Sequence, residues 1–360
     1  MQLRIPGPTP CPEEVLKAQE KQMINHRGKE FTALIRKVTE QLKRCFQTNG
    51  DILILTASGT AGMEAAVVNT LSPGDSILAV TIGSFGDRFA DIAQRYGADV
   101  KRLAFEWGHP ADPDAIREAL RSTPQVKAVL VTHNETSTGV TNDLAAISKV
   151  VKEFDKLILV DGVSSVSSID LPVDAWQCDV VVTGSQKGWM TPPGLAMISM
   201  SPKAWQAYDK ARMPKVYWDL GRAKKIFDEK GQTPWTPAVS TLYALDVGLD
   251  FIEKEGLHNV FIRHARVARA AREGAKSLGL SLFAKESHAS NTVTAINVPQ
   301  GVDGKKLLQI LREEHGVVLS GGQQKLEGKI FRIGHLGWVS EGDMTSVISA
   351  LKKALPEAKA

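Results

Sequence analysis

The sequence predicts an α/β protein: a mostly parallel sheet of about seven strands with helices on both faces, then a smaller α+β unit. Two observations carry this. Short apolar runs alternate with amphipathic stretches from about residue 50 to 200, and after about residue 240 the alternation gives way to long helical segments. The runs are DILILT (51–56), SILAV (76–80), VKRLA (100–104), VKAVLVTH (126–133), KLILVD (156–161), VVVTG (180–184) and LAMISM (195–200). They read as strands buried on both faces. Between them GMEAAVVNTL (62–71), DRFADIAQRYG (87–97) and AAISKVVKEF (145–154) read as helices. Strand, helix, strand, repeated this often, gives a parallel, helix-covered sheet.

Beyond residue 240, STLYALDVGLDFIEKEG and HNVFIRHARVARAAREGAKSLG are helical and lead into strands NTVTAINV, GVVLSG and KIFRIG, with helices near 303–315 and 341–354. Pro6, Pro8, Pro10 and Pro12 make an extended arm that lies across another surface before a helix starting near Glu13. A chain of 360 residues exceeds one comfortable core. The expected division is an arm over 1–20, a large domain over 21–245 and a small C-terminal domain over 246–360.

The composition narrows the class. A net charge of +4 suits an anionic cofactor or a carboxylate substrate and does not point to nucleic acid. Cys11, Cys45 and Cys178 are odd in number and far apart, which is neither a disulfide framework nor a metal motif and fits a reducing compartment. No apolar run reaches membrane-spanning length and the first residues lack a signal-peptide core, so the expected location is the cytoplasm. The histidines show no metal-binding spacing, so no metal is expected. The sequon Asn134-Glu135-Thr136 is read as chance.

In open parallel sheets ligands bind beyond the carboxyl ends of the strands. After the first run comes Ala57-Ser58-Gly59-Thr60-Ala61-Gly62, where small residues open a helix N-terminus to an anion. It is neither a Walker sequence nor GxGxxG, and alone it is better read as an ordinary strand-to-helix turn. Asp161 ends the fifth run, where a carboxylate meets a cation, a metal or a protonated ring nitrogen, or else caps the next helix. Lys187 follows the sixth run, where partial desolvation makes an amine nucleophilic; a surface loop lysine is the bland alternative. Anion cradle, acid and lysine in this order form the set that pyridoxal phosphate needs for its phosphate, ring nitrogen and aldehyde.

The segments SGTAGMEA, GSFGDRFADIAQRYGA, THNETSTG, VDGVSS, GSQKG and FRIGHLG, with the N-terminal PGPTPCP, span nearly the whole chain. In order and spacing they resemble class V aminotransferases, and within these the alanine/serine–glyoxylate (or pyruvate) branch. The resemblance implies the fold type I arrangement of pyridoxal-phosphate enzymes and a homodimer with active sites between subunits. It makes Lys187 the Schiff-base lysine and catalytic base, pairs Asp161 with the ring nitrogen and sets Val163 beneath the ring. It assigns the phosphate to Gly59 and Thr60 with Ser58 in the same loop, and puts Gln186 beside the lysine. Phe85 falls where the family stacks an aromatic on the ring, and Thr136 where it bonds the ring hydroxyl. Thr236 matches a threonine that reaches the neighbouring subunit's phosphate; three residues earlier, Thr233 stands where relatives often carry Tyr. Arg332 matches the arginine that grips the substrate carboxylate, and a structural salt bridge is its alternative. Gly7 belongs to the substrate side. Asn25-His26-Arg27 is either a polar wall near the substrate, contributed by the partner, or a solvated helix end.

The activity implied is ping-pong transfer of an amino group from alanine or serine to glyoxylate or pyruvate. Two alternatives stand beside it. One is a transaminase for another donor, such as an aminophosphonate. The other is a lyase of the cysteine desulfurase type, which needs a cysteine on a late loop, where this chain has Leu319-Ser320-Gly321-Gly322-Gln323.

Overall fold

The computed structural model describes residues 1–359. Its centre is a sheet of seven strands, which we number β1 (Asp51–Ala57), β2 (Ser76–Thr81), β3 (Asp99–Ala104), β4 (Ala128–Thr132), β5 (Leu157–Asp161), β6 (Val180–Gly184) and β7 (Gly194–Met200). The spatial order is β1-β7-β6-β5-β4-β2-β3. All pairs are parallel except those of β7, which runs antiparallel between β1 and β6. That inversion sets Gly194, where β7 begins, opposite Ala57 at the end of β1, and Ala196 opposite Gly184 at the end of β6. The loops that leave β1 and β6 therefore start side by side.

Strands β4, β5 and β6 are buried at every position. Alternate residues feed two cores. Val129, Val131, Ile158, Val160 and Val181 face one core with Phe31, Ile35, Leu42 and Phe46 of helix Lys29–Phe46. Ala128, Leu130, Leu159, Val180 and Val182 face the other, with Met63, Ala66 and Val67 of helix Gly59–Thr70. This is period-two alternation in a sheet covered on both faces, which leaves each strand apolar throughout. Strand β3 departs from the expectation of two-sided burial. It is the sheet edge, and much of it is exposed, in keeping with its mixed sequence DVKRLA. Helix Gly59–Thr70 packs close because its facing residues are small. A Cβ at Gly62 would lie 2.4 Å from Val182 Cγ1.

A third core gathers residues from Val267 to Ala358 around a three-stranded antiparallel sheet of β8 (Val293–Asn297), β9 (Ser320–Gly321) and β10 (Ile330–Gly334), with β10 central. Helix Val239–Glu255 runs through residue 245 and packs on helix Lys29–Phe46, while helix Leu257–Ser277 packs on helix Glu341–Ala354. The N-terminal arm lies where the prolines suggested, across other surfaces. Gln2 and Leu3 pair with Val317 and Val318, Gly334 N donates to Arg4 O at 2.7 Å, and Arg4 pairs with Asp343 at 2.5 Å. The chain then crosses to the loop after β6, where Thr9 N donates to Gln186 O at 3.1 Å. Among the described residues no helix is long and apolar enough to cross a membrane.

Candidate active site

Two strand ends meet in register beside the third strand of the site. Thr132 at the end of β4 is paired with Asp161 at the end of β5, and Asp161 with Val182 in β6. The Asp161 side chain is buried. Its Oδ1 accepts from Val163 N at 3.0 Å, and Thr132 Oγ1 lies 3.5 Å from Oδ2. The short bond closes an Asx turn rather than capping a helix, since residues 163–168 form turns. Burial raises the Asp161 pKa; the Val163 amide and the charges of Lys187 and Arg88 oppose it. A carboxylate so poorly partnered favours a cation beside it.

Lys187 stands beyond β6. Its Nζ donates to Pro6 O at 2.6 Å, and its own carbonyl accepts from Thr9 Oγ1 at 2.9 Å. Desolvation lowers the amine pKa from 10.5 to about 8; Asp161 pulls it up, and Arg332 and Arg88 push it further down. Gly7 is required here. Its φ is +137°, and a Cβ would lie 2.6 Å from Nζ.

The cradle is set by the β1/β6 adjacency. Ser58 is extended at the N-cap of helix Gly59–Thr70 and its hydroxyl makes no capping bond. A Cβ at Gly59 would lie 2.7 Å from Val163 Cγ2, and a Cβ at Gly184 would lie 3.3 Å from Gly59 N. Gln186 Oε1 is buried with no partner. An uncapped helix N-terminus, an orphaned polar atom and a space that one methyl would fill suit an anion with its own hydroxyls.

Arg332, on β10, is buried and reaches across from the small sheet. Its Nε and Nη2 donate to Gly321 O at 3.0 and 2.8 Å, and its Nη1 to Thr136 O at 3.0 Å and Gln323 Oε1 at 3.4 Å. It has no carboxylate partner, so the structural salt bridge is absent among the described residues. Of the five N–H bonds that a guanidinium carries, one on Nη2 is left for a ligand. Burial lowers its pKa to about 10, against the pull of Glu135.

Phe85 lies in the first turn of helix Ser84–Arg95, with the exposed Arg88 guanidinium 4.8 Å from its ring centroid. Arg27 and Thr236 stand apart from this group. Exposed Arg27 donates to Gln232 Oε1, Thr233 O and Pro234 O, and Thr236 is exposed on the segment passing the end of β1. Sequence reasoning missed two buried groups. Glu135 accepts four hydrogen bonds. His133 is buried with Nδ1 unpartnered and a pKa lowered by burial to about 4. Asn134 is buried and bonded to Ser164 and Thr292, which removes the sequon from the surface. The described residues contain no group of three or more His, Cys, Asp or Glu placed to hold a metal ion.

A helix-covered sheet that ends in a desolvated lysine, a buried acid and an open helix N-terminus is the arrangement of a pyridoxal-phosphate enzyme. The profile of the family described as aminotransferase class-V matches residues 3–335, and the chain belongs to that family. It is 39% identical over 364 residues to a serine–glyoxylate aminotransferase of Methylorubrum extorquens, covering 98% of this chain and 90% of that one. A protein of Anabaena cylindrica named as the soluble hydrogenase 42 kDa subunit is 46% identical over 360 residues, covering 99% and 94%. An alanine–glyoxylate aminotransferase structure from a Nostoc species superposes with a TM-score of 0.95 at 32% identity, covering 98% and 94%. The chain is a class V aminotransferase and its cofactor is pyridoxal phosphate.

Proposed function

We propose that this enzyme moves the amino group of alanine or serine to glyoxylate or pyruvate, alternating donor and acceptor at one site. The observation that carries the reading is Lys187. Its amine is desolvated, is held by one backbone carbonyl and sits within reach of the buried charge of Asp161. The glyoxylate names of two relatives support the acceptor.

Pyridoxal phosphate, when bound, supplies an electron sink for the substrate Cα carbanion. Lys187 is the residue that would hold its aldehyde, Asp161 its ring nitrogen, and Ser58, Gly59, Thr60 and Gln186 its phosphate. Val163 and Phe85 would enclose the ring faces and Thr136 would meet the ring hydroxyl. The lowered pKa leaves a useful fraction of Lys187 Nζ neutral near pH 8, so it accepts the proton that leaves the donor Cα and gives it back later. Arg332 turns its free Nη2–H to the substrate carboxylate, and Gly7 leaves room beside Nζ. Exposed Arg27 and Thr236 fit contacts made across a homodimer, with Thr236 reaching the partner's phosphate site. The arm 1–20, large domain 21–245 and small domain 246–360 complete the proposed organisation, and three free cysteines suit the cytoplasm.

Thiol chemistry is disfavoured. Burial pushes Cys178 and Cys45 up to about 12 and Cys11 up to about 11, while Gly321, in the late stretch where a lyase needs its cysteine, lies on β9 and gives its carbonyl to Arg332. The test is the absorbance of purified protein with alanine or serine, then glyoxylate or pyruvate. A yellow band that bleaches with the amino acid and returns with the oxo acid is expected; a colourless protein that pyridoxal phosphate cannot reconstitute sinks the reading.

The lowered lysine pKa also sets a pH dependence. The neutral amine is the reactive form, and protonation removes it. Capture of added pyridoxal phosphate by the cofactor-free protein should therefore quicken as pH rises and level off above about 8, not near 10.5. Well below that midpoint the rate should fall about tenfold per pH unit. Between about 8 and 10.5 the folded state binds fewer protons at Lys187 than the unfolded chain, so the cofactor-free fold gains stability as pH rises there. Stopped-flow absorbance across this range measures the midpoint, and a midpoint near 10.5 contradicts it.

A further inference from the structure

Glu135 is fully buried, and neither the cofactor nor the substrate contacts assigned to this site use it. Its Oε2 accepts from Phe85 N and Gly86 N, each at 3.1 Å. Its Oε1 accepts from Ser137 N at 3.1 Å and Ser137 Oγ at 2.6 Å, and that hydroxyl accepts from Ser84 N at 2.9 Å. Helix Ser84–Arg95 has Gly83 at its N-cap, which has no side chain to cap it. The carboxylate and the Ser137 hydroxyl satisfy its first three amides from outside the helix.

What these bonds join is specific. Phe85 is tied through its own amide, Thr136 lies between the acid and Ser137, and Arg332 Nη1 donates to Thr136 O at 3.0 Å. The acid also acts electrostatically on the Arg332 guanidinium. One carboxylate thus joins the helix bearing the aromatic, the turn bearing the threonine and the small-sheet strand bearing the arginine. Room for it depends on Gly83, where a Cβ would lie 2.4 Å from Glu135 Cγ and 2.5 Å from Ser137 Oγ. The φ of Gly83 is 173°, extended backbone open to any residue, so its glycine answers to space and not to conformation.

We propose that Glu135 is a positioning residue for transamination, fixing Phe85, Thr136 and Arg332 relative to one another through the backbone. The proposal rests on reading the site as that of a transaminase for small amino donors. A carboxylate suits the place because four donors converge on two acceptor oxygens. An amide has one such oxygen and would point its NH2 at two N–H groups.

The experiment compares wild type, Glu135→Gln and Gly83→Ala as holoenzymes, by amino-donor kinetics and by visible circular dichroism of the bound cofactor. Loss of the charge-assisted bonds to Phe85 N, Gly86 N and Ser137 should loosen the Thr136 carbonyl that Arg332 holds, and so raise the donor KM roughly ten- to hundred-fold. The kcat should fall far less, and the visible dichroism should change in sign or size because the ring's surroundings have shifted. Gly83→Ala should reproduce both effects with the acid still present, which keeps the test open if Glu135→Gln does not fold. Variants that lose only melting temperature, with KM and dichroism unchanged, make Glu135 a helix cap and overturn the proposal. A wild type lacking the cofactor band overturns the parent reading and this one together; a normal wild type with unchanged variants overturns this one alone.

Discussion

Lys187→Ala is expected to lose transamination by roughly 10⁴-fold, since a positioned proton-transfer group contributes up to that factor. The loss should come from chemistry rather than folding. Truncation removes one hydrogen bond, from Nζ to Pro6 O, worth about 1 kcal/mol. It also removes an amine whose pKa burial has lowered, so below about pH 8 the folded wild type holds an ammonium at a cost that the variant escapes. These terms oppose one another, and the melting temperature of the cofactor-free variant should stay close to wild type. Thr9 holds the loop through its amide on Gln186 O and its hydroxyl on Lys187 O, contacts to the backbone that the truncation leaves in place. Single-turnover kinetics beside thermal melts check both halves. A variant with normal turnover ends the account of Lys187, and one that is inactive because it unfolds leaves its chemistry to be read from Lys187→Arg.

Lys187 and Asp161 were legible in the sequence because each comes at the end of a run of apolar residues that could only be a buried strand. The rule that ligands bind beyond strand ends then supplied their neighbourhood. The side-by-side placement of Gly59 and Gln186 was not legible. It depends on β7 running antiparallel between β1 and β6, and a strand buried on both faces carries no mark of its direction. The edge position of β3 was written in Lys101 and Arg102 but masked by the apolar residues around them. Glu135 escaped for another reason. Its partners are backbone amides of helix Ser84–Arg95, some fifty residues earlier, and backbone groups leave no residue signature. Arg332 had a signature only by resemblance. Its contact with Thr136 O crosses 196 positions and no local pattern encodes it.

Asp161→Asn should separate a site acid from a turn former. The amide oxygen can still accept from Val163 N, so the Asx turn survives, and the NH2 can donate to Thr132 Oγ1. Replacing a carboxylate whose pKa burial has raised with a neutral isostere also removes a desolvated charge, so the cofactor-free protein should melt no lower than wild type. Activity should move the other way. A carboxylate beside a cationic group shifts its proton affinity by about one to three pKa units, so kcat should fall by about 10- to 1000-fold as the ring nitrogen loses its partner. The loss should deepen as pH rises, because the unsupported nitrogen deprotonates earlier, whereas wild type should keep its rate over the same range. Melting curves and kcat measured at several pH values decide between the two roles. If Asn costs several degrees and leaves kcat intact, Asp161 serves the turn alone. If kcat falls and the fold holds, its burial without an ion-pair partner is explained by the cation it was placed to meet.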